Sequence, residues 1–293
     1  MEKRPVTSSP AADISLEYFP AASVQGERAL VTCAHALRRF DPAFQTVTFG
    51  ADGGERERTL DWAVTLRDLT GVETATHLTL CAFDRAGLDA HLAALEERGL
   101  RRIVLLRGDK VREGTDGLAG FASVADAVRH VKRRGGWDVT VAAYPEQHPR
   151  ASSERADLDV LLAKFDAGAD RAITQFVFDT GHVLRLRDRL ARERPAAPLV
   201  AGLMPITNWK RASGFAAKCG ASIPEDVRER FERASTHERT GVARGLAERL
   251  ARELAEAGER ALHVYTMNRV ELAADTLRAF EAALPPQTAE AVA

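Results

Sequence analysis

The sequence is poor in cysteine and has almost no net charge. Its three cysteines, Cys33, Cys81 and Cys219, lie far apart in 293 residues, and no CxxC pair occurs. That spacing suggests neither a disulfide framework nor a zinc site, and no metal is expected. Lys and Arg number 41 against 42 Asp and Glu, a net charge of −1. Such a balance gives no electrostatic ground for nucleic acid or an anionic membrane as partner. No apolar stretch reaches the ~18 residues of a membrane span. The opening "MEKRPVTSSPAAD" has no apolar run behind its charges, so it does not read as a secretory signal. A reducing cytoplasm is the expected compartment.

What is present suits a large core. The chain is 45% hydrophobic and 28% charged, ordinary for a globular protein, and its length allows one large α/β domain or two average ones. Residues 1–12 and 285–293 are rich in small and polar residues and read as tails. Between them, eight short β-rich runs recur: "ISLEYFP" (14–20), "QTVTFG" (45–50), "ATHLTL" (75–80), "RIVLLRGD" (102–109), "VTVAAYPE" (139–146), "RAITQFVFD" (171–179), "LVAGLMPI" (199–206) and "LHVYTMN" (262–268). Most begin as continuous apolar runs, as parallel strands covered on both faces do. Helical patterns fill the gaps. Asp84 is a candidate N-cap, Leu88, Leu92 and Leu95 follow at helical spacing, and Gly99 suits the stop. Leu158, Leu161, Leu162 and Phe165 repeat the pattern before Gly168. Strand and helix alternating eight times predict a (β/α)8 barrel, with a doubly wound open sheet as the alternative. Residues 208–257 leave room for additional helices between strands seven and eight.

Polar residues interrupt these runs toward their C-terminal ends. They include Glu17, Thr48, His77, Arg107, Asp109, Tyr144, Glu146, Gln175, Tyr265, Asn268 and Arg269. In a barrel those ends meet at one mouth, where active sites of this fold sit. Each residue alone could simply mark the start of a solvated loop. Glu17, His77 and Gln175, however, precede further apolar residues. Gln175, inside "RAITQFVFD", is a primary amide that must find hydrogen-bond partners if buried, and a ligand at the mouth would supply them. Other signals are weaker. "GADGGERERT" (50–59) is a glycine-rich loop opening a helix, suited to a phosphate but matching no nucleotide-binding pattern. Asp157, Val160 and Lys164 share one helix face, which on spacing alone reads as an exposed salt-bridge stripe.

Taken together, "ISLEYFP", "VTFGADGGERERT", "HLTL", "LLRGD", "AAYPEQHP", "FDAGADRAITQFVFD", "GLMPITN" and "HVYTMNR" resemble the methylenetetrahydrofolate reductases of the bacterial, single-domain type, in order over about residues 14–270. The resemblance implies a (β/α)8 catalytic domain over residues 13–284 that holds FAD without a Rossmann domain. It implies NADH (or NADPH) as electron donor and a ping-pong hydride transfer to 5,10-methylenetetrahydrofolate, giving 5-methyltetrahydrofolate. It implies a homodimer or homotetramer. Glu17 matches the general acid that protonates N10, a task that calls for a carboxyl raised by burial or a like charge. Asp109 matches an aspartate beside the flavin whose charge can stabilise a cationic intermediate and contact substrate. Thr48, Phe49, Ala51, His77, Arg107, Gly108, Asp109, Phe121, Ala122, Tyr144, His148, Asp157 and Lys164 fall at FAD positions. Arg107 and Lys164 can offset pyrophosphate charge. Gln175 matches the glutamine that bonds the pterin, while Arg211, Phe215 and Arg269 fall at folate positions. Departures from the family pattern are Phe121, Val160, Ala163, Arg211 and the loop "KVREGTDGLAG" after Asp109. Two other readings are a flavin-free folate barrel carrying out methyl transfer, and a non-enzymatic binding barrel. The latter accounts poorly for Glu17, Asp109 and Gln175 occurring together.

Overall fold

The computed structural model describes residues 12–49, 56–108, 117–206 and 208–286. Eight parallel strands close into a barrel in sequence order, with β1 paired to β8. The strands are β1 Asp13–Tyr18, β2 Phe44–Val47, β3 Thr74–Thr79, β4 Arg102–Leu106, β5 Asp138–Ala143, β6 Arg171–Thr174, β7 Leu199–Leu203 and β8 Ala261–Tyr265. The helices are α1 Val24–Leu37, α2 Arg56–Thr70, α3 Arg85–Glu97, α4 Val124–Arg133, α5 Glu154–Asp166, α6 Thr180–Glu193, α7 Trp209–Cys219, α8 Glu225–Arg233, α9 Arg239–Glu256 and α10 Val270–Ala283. Every expected strand is present, and α7, α8 and α9 fill the segment between β7 and β8. The doubly wound alternative is thereby excluded.

Local chemistry sets the helix starts. Ser23, Asp84, Ser123, Ser153, Asp179 and Asn208 each accept a backbone N–H from the first turn that follows, satisfying donors a helix cannot pair internally. On α3 the expected face, Leu88, Leu92 and Leu95, is fully buried.

Side chains alternate between the barrel interior and the helix layer. Outward-facing Ile14, Leu16 and Tyr18 pack in the main core. Facing inward, at the N-terminal end, Phe44 packs with Ile173 and Val200. Beside them Arg102 and Arg171 both pair with Asp138, and their guanidinium carbons lie 4.7 and 5.1 Å from the Phe44 ring centre. This ionic and aromatic plug closes the barrel floor, so the interior opens at the other end, where the strands finish.

The strands are shorter than the apolar runs suggest. The run 171–179 pairs as a strand only over Arg171–Thr174. Phe176 and Phe178 leave the barrel instead and begin an aromatic chain. Phe178 meets Trp209 of α7 edge-on at 6.5 Å, and Trp209 stacks on Phe231 of α8 at 4.5 Å. The extra helices are anchored to the mouth by these rings.

Candidate active site

Glu17 is the next-to-last residue of β1 and faces the interior, 6% exposed. Its Oε2 lies 3.2 Å from His77 Nε2 of β3 and 3.6 Å from His263 Nε2 of β8. The far nitrogen of His263, Nδ1, is 2.8 Å from Ser15 Oγ. Ser15 and His263 are Cα partners across the β1–β8 seam, and Glu17 stands opposite Tyr265. These five polar groups therefore share the barrel's upper interior. Burial by itself raises the Glu17 carboxyl; His77 and His263 outweigh it and hold the carboxyl at about 2. This differs from the raised value expected for an acid, because two imidazoles, absent from any local reading of "ISLEYFP", converge on it. Burial lowers His263, with Glu17 acting against that shift.

Gln175 follows β6 directly. Its N–H donates to Ala143 O at 2.8 Å, extending the β5 ladder, and its Oε1 accepts Phe176 N–H at 3.0 Å. Since that N–H can only meet an oxygen, the amide orientation is fixed, and Nε2 is the end left for a ligand. Tyr265 crosses the interior to donate its hydroxyl proton to Thr174 O at 2.7 Å. Its ring meets His263 edge-on at 4.9 Å. Phe215 of α7 is 46% exposed, yet stacks on Phe176 with ring centres 5.5 Å apart. Gln175 and Phe215 are thus brought to one side of the mouth. Arg211 in the first turn of α7 and Arg269 at the start of α10 are exposed on its rim.

The β2–β5 side gathers most of the other expected residues. Thr48 N–H donates to Tyr18 O at 3.0 Å, and Phe49 lies 6.0 Å from Phe83. Arg107 and Gly108 follow β4; the Arg107 carbonyl accepts from Cys81 N–H at 2.9 Å. Gly108 has φ +91°, and a Cβ there would lie 2.1 Å from Thr79 Cγ2 and 2.4 Å from Cys81 Sγ. No side chain fits this position. Tyr144 packs against His148 at 4.4 Å. Asp157 accepts His148 N–H at 2.9 Å, while Lys164 Nζ donates to Ala142 O at 2.9 Å. The salt-bridge stripe is therefore not formed: each end of it is committed to the loop or strand below. Burial lowers Lys164 to about 8, against the pull of Asp157. Between them, Val160 is 53% exposed. Phe121 is buried, with the Arg85 guanidinium 4.1 Å above its ring, and Ala122 beside it is exposed. Asp109 and Ala51 lie outside the described residues.

This donor set fits a flavin nucleotide. Gly108 offers bare backbone for close approach, Lys164 and Arg107 offer positive charge, Asp157 offers an acceptor for hydroxyls, and Tyr144 offers an aromatic face. Among the described residues, no three His, Cys, Asp or Glu side chains gather as a metal site requires.

Ser15 and His263 escaped the sequence reading. The signal was there: His263 interrupts "LHVY" as Gln175 interrupts "RAITQF", and Ser15 stands two residues before Glu17, on the same strand face.

The chain matches the family model described as Methylenetetrahydrofolate reductase over residues 4–281. It is 38% identical to a 5,10-methylenetetrahydrofolate reductase of Pectobacterium carotovorum subsp. carotovorum, over 89% of this chain and 87% of that protein. It is 36% identical to the Escherichia coli K12 protein of the same name, over 89% and 88%. Among solved structures, an uncharacterized protein from Clostridium thermocellum that binds two copies of 5-methyl-5,6,7,8-tetrahydrofolic acid superposes with TM-score 0.62, covering 94% of this chain and 96% of that one. At 10% identity that likeness concerns the fold alone.

Proposed function

The chain belongs to the methylenetetrahydrofolate reductase family, whose reaction reduces 5,10-methylenetetrahydrofolate to 5-methyltetrahydrofolate, and we propose that it works with FAD, with NADH (or NADPH) as donor, and with Glu17 as general acid. Bound FAD would supply the hydride chemistry, taking two electrons from the nicotinamide and passing them to the folate. The observation that carries the reading is the Glu17–His263–Ser15 chain, with His77 alongside, set inside the mouth.

The methylene bridge of the substrate must open before hydride can add, and opening needs a proton at N10. In the open site the carboxyl is ionised beside the imidazoles. A bound substrate expels water from the mouth, and loss of solvent disfavours the carboxylate. Glu17 takes up one proton from solvent as the substrate enters and holds it within reach of the ligand. Ser15 can donate to or accept from Nδ1, so His263 can hold either tautomer as the proton moves. Gln175 Nε2 donates to the pterin. Phe215 offers a flat apolar face to the aromatic ring of the substrate, and Arg211 and Arg269 are the cations for its glutamyl carboxylates. Lys164 and Arg107 meet the FAD pyrophosphate, and Asp109 lends negative charge near the reacting carbon. Thr48 and Phe49, which follow β2, and His77 of β3 would border the flavin; Ala51 is a further expected contact. Residues 13–284 act as one catalytic domain, in a cytoplasmic homodimer or homotetramer.

Glu17→Gln is the test. The variant should keep its FAD and its reduction by NADH, and lose ~10²–10⁴-fold in reduction of methylenetetrahydrofolate. Anaerobic stopped-flow separates the two half-reactions. Equal damage to both would make Glu17 a structural residue and sink the proposal.

A further inference from the structure

The end of β1 is held by a side chain that imitates a strand. The β1–β8 ladder runs regularly to Glu17 opposite Tyr265. Thr266 then donates twice to the Glu17 carbonyl, from its N–H at 3.1 Å and from its Oγ1 at 2.6 Å. Beyond this point β8 has turned away, and among the described residues Phe19 has no backbone partner on that side. Asn268 takes the place of one. Its Oδ1 accepts Phe19 N–H at 3.1 Å, and its Nδ2 donates to Phe19 O at 3.0 Å. Thr266 Oγ1 in turn accepts Asn268 N–H at 3.1 Å. One threonine and one asparagine thus secure the backbone on both sides of Tyr18, immediately after the acid.

The turn that makes this possible is unusual. Met267 and Asn268 both have φ +52°, a region that side chains other than glycine enter at a cost and that clusters at functional sites. Asparagine tolerates it; methionine has no such excuse. Two consecutive left-handed residues bring the Asn268 amide back over β1. The opposite edge of β1 is held independently, by Thr48 N–H on Tyr18 O. Between these two grips the Glu17 carboxyl must stay beside His77, His263 and Tyr265, the titratable groups that β3 and β8 aim at it. A displacement of about 1 Å in a reacting group can cost two orders of magnitude in rate.

We propose that Asn268, braced by Thr266, is a positioning residue for the Glu17 carboxyl, fixing its place between the two histidines by substituting for the missing strand beside Phe19. This rests on the reading of Glu17 as the acid. The same turn launches Arg269, whose N–H donates to Thr266 O at 2.9 Å, so the clip also ties the acid to the expected folate-tail cation.

The test uses the full-length, FAD-loaded protein and the pH profile of methylenetetrahydrofolate reduction. Asn268→Gly keeps the left-handed turn and removes both bonds to Phe19. It should lower kcat about 10–100-fold and displace the limb of the pH profile that Glu17→Gln abolishes. FAD content and reduction by NADH should match the wild type. Thr266→Val, close in size and buried, keeps the backbone bond but removes both Oγ1 bonds, to the Glu17 carbonyl and from Asn268 N–H, and should displace the same limb; it answers the question if the glycine variant does not fold. Met267→Gly relieves the turn without touching the clip and should leave the profile unchanged. If Asn268→Gly and Thr266→Val lower only the melting temperature, with profiles superimposable on the wild type, the clip is structural and the proposal is overturned. If Glu17→Gln itself reduces methylenetetrahydrofolate normally, the reading of the acid fails first, visibly and without any Asn268 variant.

Discussion

The ammonium of Lys164 gives up its proton near pH 8, because burial beside Ala142 O outweighs the attraction of Asp157. Two consequences have opposite signs. In the flavin-free protein the folded state holds fewer protons than the unfolded chain between about 8 and 10.5, so stability rises with pH across that window. A bound pyrophosphate favours the charged form, so FAD affinity should fall as pH rises above about 8. Fluorescence titration of FAD into wild type and Lys164→Gln checks this: the mutant should bind more weakly and lose the pH dependence. An identical slope in both would remove Lys164 from the cofactor site. Gln175→Leu belongs at the same scale. Leucine strips the acceptor from Phe176 N–H, a cost of roughly 1 kcal/mol, and removes Nε2 from the mouth. Melting should change by a few degrees, while kcat/KM for methylenetetrahydrofolate falls roughly 10–100-fold. Normal folate kinetics in this variant would contradict the pterin role. At this scale Gln175 was legible because an amide in an apolar run is conspicuous. The lowered Glu17 carboxyl was not, since its causes lie 60 residues downstream in His77 and 246 downstream in His263.

At the scale of elements, the strand ends matter most. The eight strands were readable from apolar runs, and Asp84 and Gly99 marked α3 correctly. Where the strands stop was not readable. Phe176 and Phe178 are as apolar as any barrel residue, and only the aromatic chain to Trp209 and Phe231 takes them out of the barrel. The β6–β7–β8 corner shows how tightly these ends are matched. Gly202 N–H donates to Thr174 Oγ1 at 2.8 Å. A Cβ at Gly202 would sit 2.3 Å from Thr174 O and 2.8 Å from the Tyr265 ring. Gly202→Ala should therefore push Tyr265 off Thr174 O, destabilise the fold by ~1–3 kcal/mol, and raise KM for methylenetetrahydrofolate through the loosened Gln175. Thermal melts and steady-state kinetics read both effects. An unshifted melting temperature would mean that the strands part without cost.

For the molecule as a whole, the two ends of the barrel divide the labour. The floor holds Arg102, Arg171, Asp138 and Phe44; the mouth holds the proton-handling groups. Asp138→Asn leaves two guanidiniums facing each other with their shared carboxylate gone. It should cost roughly 1.5–3 kcal/mol, as lost hydrogen bonds to charged groups do, and lower the melting temperature by several degrees. Folate and NADH kinetics should be unaffected, because chemistry in this architecture resides at the opposite face. A selective loss of activity with normal melting would break that division. The overall plan was the most legible feature of the sequence, since eight alternations of strand and helix leave few alternatives. The seam where the barrel closes was the least legible, because its partners come from opposite ends of the chain.

That seam has a consequence for how the protein comes to life on the ribosome. Ser15 and Glu17 are made about 250 residues before His263, Thr266 and Asn268. A nascent chain halted after β7 carries the sequence of β1 to β7 and α1 to α6, yet its carboxyl still lacks the imidazole of His263. If Glu17 acts as proposed, competence for acid catalysis is acquired in a single late step, when β8 docks against β1. On that reading, turnover of methylenetetrahydrofolate would report ring closure itself.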